Sequence, residues 1–292
     1  MKKFLAMTLA LAMSLSLAAC GGGASSSTPS ASTPDASTSI PDASTGDEST
    51  GGETADLSEA LVEPGKLIMS TNAAFPPYEM VADGEGVYQG LEGIDVEIAL
   101  AIADKLGLEL VIDDMEFDSA LLAVQNNAAD VMLAGLSYSE DRDQVMDFSD
   151  SYATGIQSVI VKEGSEVTMD NLGDYMIGTQ RGTTGYIYAS DTPENGGYGE
   201  DHVLAYDNGA TAVQALMNGQ IDAVIIDEAP AKEFVAANEG LTILPGNWVE
   251  EQYCAAVDEG NTALQNAINT ALNELMDDGT VDEIIAKYIS VE

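Results

Sequence analysis

Arg142 and Asp227 are the two charged residues whose positions best suit the capture of a small charged ligand. Each follows an apolar run that is typical of a buried strand, and ligands of open parallel sheets bind beyond the carboxyl ends of the strands. Arg142 is one of two arginines in the chain. A guanidinium binds a carboxylate through charge-assisted hydrogen bonds, which contribute about 1.5–3 kcal/mol. Asp227 can hold an ammonium group, so a ligand with both charges would bridge the two positions.

Ordinary structural roles fit both residues as well. The neighbourhood of Arg142 is rich in acids, so a surface salt bridge would also explain the arginine. Asp227 precedes Glu228-Ala229-Pro230, where an aspartate commonly caps the start of a helix. From spacing alone, the ligand-binding and structural roles of these two residues remain open.

Two further segments present polar or aromatic groups near the same strand ends. The segment 178–186, Gly-Thr-Gln-Arg-Gly-Thr-Thr-Gly-Tyr, predicts a strand end and a turn into a helix, whose backbone N–H groups can receive an anion. It lacks the Gly-Lys-Ser/Thr ending of a P-loop. Phe75 and Tyr78 follow the first predicted strand and serve either as core or as pocket walls.

The sequence does not favour catalysis or a bound metal. His202 is the only histidine, and no thiol or triad partner lies near it in the sequence. Glu79 and Asp95 could act as acid or base, but both also fit capping or rim roles. Without a cluster of His and Cys residues a transition-metal site is unsupported, so we predict no catalytic residue, no metal and no cofactor.

The elements that position these residues alternate between strand and helix patterns, which predicts an α/β fold with largely parallel sheets. Lys66–Ser70 and Leu108–Ile112 are predicted strands, and the spacing of apolar residues predicts a helix over 93–107. A helix, a tight turn and a buried strand occur at 118–134 and again at 212–226. This repetition predicts two similar lobes, each with its own sheet.

The amino terminus predicts export. Residues 1–20 place Lys2 and Lys3 before an apolar stretch, which is typical of a secretory signal peptide, and Leu-Ala-Ala-Cys-Gly at 17–21 resembles a lipobox with Cys20 as the acylated residue. Residues 21–60 are almost all Gly, Ser, Thr, Ala, Pro and acids, which predicts a disordered tether. Cys254 then has no disulfide partner and is predicted to be a buried small residue.

The excess of acidic over basic residues restricts the macromolecules that this chain can bind. The formal net charge is -41, with 9 Lys and Arg against 50 Asp and Glu. This charge argues against nucleic acid as a partner, because phosphate binding needs a basic surface. We interpret the carboxylates as a solvated surface.

Several short motifs occur in order along the chain: 72–79 (NAAFPPYE), 93–97 (GIDVE), 134–142 (AGLSYSEDR), 147–152 (DFSDSY), 180–184 (QRGTT) and 275–280 (LMDDGT). Together they resemble the amino-acid-binding family of periplasmic binding proteins that serve ABC importers, from about Leu67 to Ile289. The resemblance implies a two-lobe fold of type II, with hinge strands near 154–161 and 242–257. It implies one lobe of residues 61–155 plus 250–292 and another of 156–249.

The resemblance also implies a function and a set of contacts. The protein would act as a monomer on the outer face of the cytoplasmic membrane, bind a free L-amino acid and deliver it to an ABC permease. Arg142 would pair with the ligand carboxylate, and Asp227 with its ammonium group. The predicted ligand residues are Asn72, Phe75, Tyr78, Phe117, Ala134, Gly135, Ser137, Arg142, Gln180, Thr184 and Asp227.

Two positions depart from relatives that bind basic or amide side chains. Those relatives commonly have Asp at the position of Asn72, and Lys or Leu at that of Gln180. The uncharged Asn72 favours a neutral polar amino acid as ligand. A dehydratase-like enzyme of the same fold and a ligand-sensing protein remain the alternative functions.

Overall fold

The computed structural model describes residues 57–289. The predicted signal peptide, Cys20 and the predicted tether up to residue 56 lie outside the described residues. The strands are β1 (Lys66–Thr71), β2 (Ala74–Phe75), β3 (Glu79–Val81), β4 (Leu91–Glu92), β5 (Glu109–Asp114), β6 (Val131–Met132), β7 (Met146–Lys162), β8 (Ile177–Gln180), β9 (Val203–Tyr206), β10 (Ala223–Asp227), β11 (Leu241–Ile243) and β12 (Val249–Asp258).

The helices lie between and after these strands. They are α1 (Ile94–Leu106), α2 (Phe117–Gln125), α3 (Thr184–Ser190), α4 (Gly209–Met217), α5 (Glu228–Ala237), α6 (Thr262–Asp277) and α7 (Thr280–Tyr288). Short 3-10 turns occur at Arg142–Gln144, Leu172–Asp174, Pro193–Asn195 and Glu200–His202. Among the described helices, none is long and apolar enough to cross a membrane.

Two parallel half-sheets form the two lobes. In the first lobe β1 lies between β5 and β6, and in the second β8 lies between β10 and β9, with all four pairings parallel. The long antiparallel strands β7 and β12 run between the halves and pair with β10 and β6 respectively. The expected α/β fold with mostly parallel half-sheets is confirmed. The expected separate sheets are joined into one hydrogen-bonded ladder, because the two crossing strands belong to both halves.

The repeated helix–turn–strand unit has one copy in each lobe. Helix α2 leads into β6, and α4 leads into β10. Both copies therefore deliver a strand end to the space between the lobes. The loop after β6 carries Ser137 and Arg142, and β10 ends at Asp227.

Helix α1 follows directly from its sequence pattern. Ile94, Ile98 and Ile102 recur every fourth residue and are all buried, so they form one apolar face. The helix ends at Gly107, whose left-handed backbone (φ 68°) allows its N–H to bond carbonyls of the last turn. Helix α7 returns to α1 at the end of the chain, where Lys287 and Tyr288 both contact Glu97.

The core extends slightly beyond the predicted start of the folded chain. Leu57, inside the predicted tether, is buried in the main hydrophobic cluster together with Leu61. Cys254 is buried in β12, and burial raises the pKa of its thiol to about 11. The thiol therefore stays protonated at neutral pH, and its burial agrees with the predicted role as a small core residue.

Gly93 is the position where a side chain should cost the fold most. The N–H groups of Ile94 and Asp95 donate to the carbonyls of Pro77 and Tyr78, so the start of α1 lies directly against that loop. Gly93 has φ 132°, and a Cβ there would lie 2.2 Å from the Tyr78 carbonyl oxygen. We expect Gly93→Ala to lower the free energy of unfolding by about 3 kcal/mol or more in thermal denaturation.

Gly107→Ala is the matched control for this prediction. Gly107 is also left-handed (φ 68°), but nothing lies within 4 Å of an added Cβ. Its substitution should cost only the backbone strain, about 1–2 kcal/mol. Equal losses in the two variants would contradict the role given to the contact with Tyr78.

Candidate functional site

Arg142 lies buried between the lobes. It begins the short turn Arg142–Gln144, and its side chain donates from Nη1 to the Ser137 carbonyl (2.6 Å) and from Nη2 to the Gly182 carbonyl in the second lobe (2.9 Å). The guanidinium carbon is 5.7 Å from the centroid of the Phe117 ring. With only 7 % of its surface exposed, Arg142 does not form the surface salt bridge that its neighbourhood allowed.

Asp227 faces the same space from the end of β10. Its carboxylate accepts hydrogen bonds from the Tyr253 hydroxyl and from Gln157 Nε2 (2.9 Å). It stands at the N-cap position of α5, yet its side chain makes no capping hydrogen bond. Burial raises the pKa of Asp227 to about 7, and the nearby Glu251 adds to the shift against the opposing hydrogen bonds.

Glu251, which the sequence analysis did not identify, is connected to both Arg142 and Asp227 through shared hydrogen-bond partners, Ser137 and Gln157. One of its oxygens accepts from Ser137 Oγ in the first lobe (3.0 Å), Thr184 Oγ1 in the second (2.9 Å) and Gln157 Nε2 (3.0 Å). Only 6 % of Glu251 is exposed. A single carboxylate on a crossing strand is therefore hydrogen-bonded to both lobes. We call Arg142, Ser137, Gln157, Thr184, Asp227 and Glu251 the cleft cluster.

A local signal for Glu251 exists, although it is weak. Side chains alternate between the two faces of a strand, so Glu251 shares a face with Tyr253, and both are buried while Gln252 between them is exposed. The segment 249–253 (VEEQY) shows this alternation only once its register in β12 is known. Gln157 on β7 likewise cannot be identified from the sequence until the register of its strand is known.

The two predicted amide residues meet across the lobes. Gln180 Nε2 donates to Asn72 Oδ1 (2.9 Å), and Asn72 Nδ2 donates to the Met115 carbonyl (2.8 Å). Gln180 ends β8 in the second lobe, whereas Asn72 follows β1 in the first. The uncharged pair thus forms a second polar link between the lobes.

The predicted aromatic residues lie around the first-lobe strand ends. Phe75 and Tyr78 stack at 5.8 Å between ring centroids, and Tyr78 meets Tyr253 edge-on at 5.0 Å. The Phe75 ring lies so close to Gly135 that a Cβ there would be 2.6 Å from Cε1. Ala134 is buried in the same apolar cluster as Phe117.

Glu79 and Asp95 lie inside the first lobe, so the rim role considered for them is wrong. Both are fully buried. Asp95 accepts from the Gly135 N–H (2.7 Å) and from the Tyr152 hydroxyl (2.8 Å), and burial raises its pKa to about 6. Burial beside Asp95 raises the pKa of Glu79 well above its usual value. Asp95 therefore fixes the loop that carries Gly135.

All eleven predicted ligand residues are buried. Within residues 57–289, no group of three or more His, Cys, Asp or Glu side chains is arranged to hold a metal. His202 lies in the turn Glu200–His202, outside the cleft cluster. The cleft cluster therefore combines one cation, two carboxylates, two hydroxyl groups and one amide, which can bind a small polar ligand.

Comparison with known proteins identifies the family of this two-lobe receptor. Residues 67–291 match the family model of bacterial extracellular solute-binding proteins, family 3. The chain belongs to this family. The match covers both half-sheets and the crossing strands, and it confirms the resemblance drawn from the motifs.

Relatives of this family 3 protein match it over about two thirds or more of its length. The arginine-binding extracellular protein ArtP of Bacillus subtilis is 29% identical over 231 residues, which are 78% of this chain and 87% of ArtP. The ABC transporter glutamine-binding protein GlnH of the same organism is 33% identical, over 68% of this chain and 73% of GlnH. The crystal structure of the P235GK mutant of ArgBP from T. maritima superposes with a TM-score of 0.70 at 35% identity, covering 78% of this chain and 96% of that one.

Proposed function

We propose that this family 3 protein is the extracytoplasmic substrate-binding component of an ABC transporter for amino acids. It captures a free L-amino acid with a polar side chain between its lobes and delivers it to the permease. It acts as a monomer, anchored by lipid at Cys20 to the outer face of the cytoplasmic membrane. Residues 1–19 are removed on export, and the residues between Cys20 and Leu57 form the tether.

The main support for this proposal is that the opposite charges of Arg142 and Asp227 match the carboxylate and ammonium groups of a free amino acid. The guanidinium has five N–H donors, and in the described chain two of its hydrogen bonds go to backbone carbonyls. Its other donors can bind the α-carboxylate of an amino acid, together with the backbone N–H groups of Ser137 and Thr184. Asp227 can accept from the α-ammonium group, with the Ala134 or Gly135 carbonyl as a second acceptor.

Closure of the lobes over the ligand follows from the placement of these groups. Residues 61–155 and 250–292 make one lobe in this proposal and 156–249 the other, so the crossing strands β7 and β12 serve as the hinge. Arg142 belongs to the first lobe and Asp227 to the second. A zwitterion that contacts both favours the closed arrangement, because it binds both charges only there.

The names of the relatives support binding without catalysis. ArtP, GlnH and ArgBP are named for an amino acid that they bind, and none of those names denotes an enzyme. The cleft cluster contains no histidine or cysteine that could act as nucleophile or base at neutral pH. We therefore propose transport and not a dehydratase-like reaction.

A ligand screen tests the proposal directly. The purified protein, unfolded and refolded to remove bound ligand, is heated with each of the twenty amino acids, ornithine, citrulline, cystine, sugars and dipeptides. A ligand at a hundredfold excess over Kd stabilises the native state by about 2.7 kcal/mol, so one or a few amino acids should raise Tm by several degrees. A shift with sugars alone, or with none of the compounds, would overturn the proposal.

A further inference from the structure

Glu251 reaches the cleft because the loop after β6 lies against its strand. Two backbone hydrogen bonds flank Ser137 and pair this loop with β12, so that Ser137 lies opposite Tyr253. In such a pair the residue between the two bonds directs its own N–H and carbonyl away from the partner strand, and the Ser137 carbonyl accepts from Arg142 (2.6 Å). Glu251 lies two residues before Tyr253 on the same face of β12, which holds it beside Ser137.

The Glu251 carboxylate occupies the place proposed for the ligand carboxylate. Its Oε2 accepts from the hydroxyls of Ser137 (3.0 Å) and Thr184 (2.9 Å), the two residues whose N–H groups are assigned above to the ligand carboxylate. Burial lowers the pKa of Arg142, and the charge of Glu251 opposes this shift more than that of any other neighbour. Glu251 therefore lies within electrostatic reach of the guanidinium as well.

Two carboxylates cannot share this place. Like charges in a buried site repel each other strongly, because little water screens them. The hydroxyl and the N–H of one serine or threonine lie side by side, so a ligand carboxylate on the N–H groups would lie against Glu251. One of the two must leave.

Glu251 is bonded unevenly, so the cleft cluster does not hold it at full strength. All three of its hydrogen bonds, from Ser137, Thr184 and Gln157, reach Oε2. Its other oxygen, Oε1, is buried and has no hydrogen-bond partner among the described residues. A buried carboxylate oxygen without a donor is costly, so displacing Glu251 costs less than displacing a fully bonded carboxylate.

We infer that Glu251 is an internal competitor of the bound amino acid, whose carboxylate fills the carboxylate subsite of the cleft and must leave it before a ligand binds. This inference rests on the proposed function, since it concerns the regulation of the same site. The contact is autoinhibitory, because it removes a share of the molecules from the form that can bind.

The internal contact also joins the lobes through the residues that a ligand would join. Ser137 belongs to the first lobe and Thr184 to the second, and the charge-assisted bonds of Glu251 reach both. A ligand therefore replaces one link between the lobes by another. When the competent form makes up a tenth of the molecules, the apparent Kd is about tenfold higher than that of the freed site.

Glu251→Gln tests the inference, because it keeps the size of the side chain and removes its charge. A neutral amide accepts hydrogen bonds more weakly than a carboxylate and does not repel the ligand carboxylate. Isothermal titration of the refolded protein uses L-arginine, L-glutamine and every other amino acid that raises Tm in the screen. We expect Glu251→Gln to lower the Kd of each amino acid that binds by about three- to tenfold.

Glu250→Gln is the matched control. It removes the same charge from the exposed neighbour of Glu251 and should change Kd less than about twofold, since an exposed charge is screened by solvent. A lower Kd in Glu251→Gln alone separates the contact in the cleft from the general negative charge of the chain.

A crystal structure of the wild-type protein with its bound amino acid tests the same inference without any variant, so it does not depend on whether Glu251→Gln folds. We expect the ligand carboxylate beside Ser137 and Thr184, with the Glu251 side chain turned away from both hydroxyls. The hydrogen bonds of Glu251 should thus be exchanged for those of the ligand.

Two results would overturn the inference and leave the proposed function intact. One is a complex in which Glu251 keeps its hydrogen bonds to Ser137 and Thr184 while an amino acid is bound. The other is an unchanged or higher Kd in a folded Glu251→Gln, which would make Glu251 a permanent part of the site. A wild-type protein that binds no amino acid would instead refute the proposed function, and this inference with it.

Discussion

Replacing Arg142 by alanine is expected to weaken amino-acid binding severely, with Kd rising by about 30-fold or more. The α-carboxylate would lose its charge-assisted partner inside a closed site, and removal of one member of a buried ion pair costs about 2–5 kcal/mol. The loss should apply to every amino acid that binds, because the carboxylate is common to all of them. Isothermal titration with the ligands found in the screen measures the effect.

The second arginine of the chain is the natural control. Arg181 lies within the same predicted turn as Gly182, but its side chain is exposed and faces Asp207 at 3.7 Å. Arg181→Ala should change Kd less than about twofold, since exposed ion pairs contribute little. Arg142→Lys should bind with intermediate affinity, because it keeps the charge but loses the planar fork. Wild-type affinity in Arg142→Ala would refute the proposed carboxylate contact.

Two members of the cleft cluster, Arg142 and Asp227, could be predicted because strand ends are visible as patterns in the sequence. Apolar runs at 131–134 and 223–226 mark buried strands, and polar residues directly after such runs in a parallel sheet converge on one edge. Arg142 and Asp227 were placed by that reasoning alone. The structure excludes their alternative roles, because the Arg142 guanidinium is buried and the Asp227 carboxylate caps no helix.

Glu251 and Gln157 were not found because they lie inside long strands. Their contact with the strand-end residues depends on the pairing of β7 with β12, where Val249 lies opposite Gln157 and register shifts follow Tyr253 and Cys254. A shift of one residue would turn Glu251 to the other face. Such registers are set by tertiary packing, so local sequence patterns leave them undetermined.

The boundary of the folded chain was misplaced for a related reason. Low-complexity composition predicts a lack of structure on average, but one apolar residue at the end of such a segment can still bury itself against a neighbouring core. Leu57 does so. The composition of the segment around Leu57 gave no indication of this contact.

Amino-acid affinity is expected to rise with pH through about 7, and this effect should depend on Asp227. Burial raises the pKa of Asp227 to about 7, so below that pH its carboxyl is mostly protonated and cannot pair with an ammonium group. Binding the ammonium favours the anion, lowers the pKa and releases a proton. Affinity should therefore fall by up to about tenfold for each pH unit below 7.

The sign of the stability change is opposite in the protein without ligand. Asp227 has a folded-state pKa raised from 3.8 to about 7, so the stability that it contributes is full below about pH 4 and is lost as the pH rises through 7. Asp95, with a pKa raised to about 6, acts in the same direction. Ligand affinity and ligand-free stability should thus change in opposite directions over this range.

Asp227→Asn separates the contribution of Asp227 from that of Asp95. The variant keeps the shape of the side chain but cannot ionise at residue 227. It should therefore bind amino acids weakly, and its affinity should change little between roughly pH 5.5 and 8. Asp95 does not face the ligand directly, because its oxygens are bonded to Gly135 and Tyr152. If Asp227→Asn retained the full wild-type pH dependence, the proton would belong to the Asp95 site, and the ammonium contact proposed for Asp227 would fail.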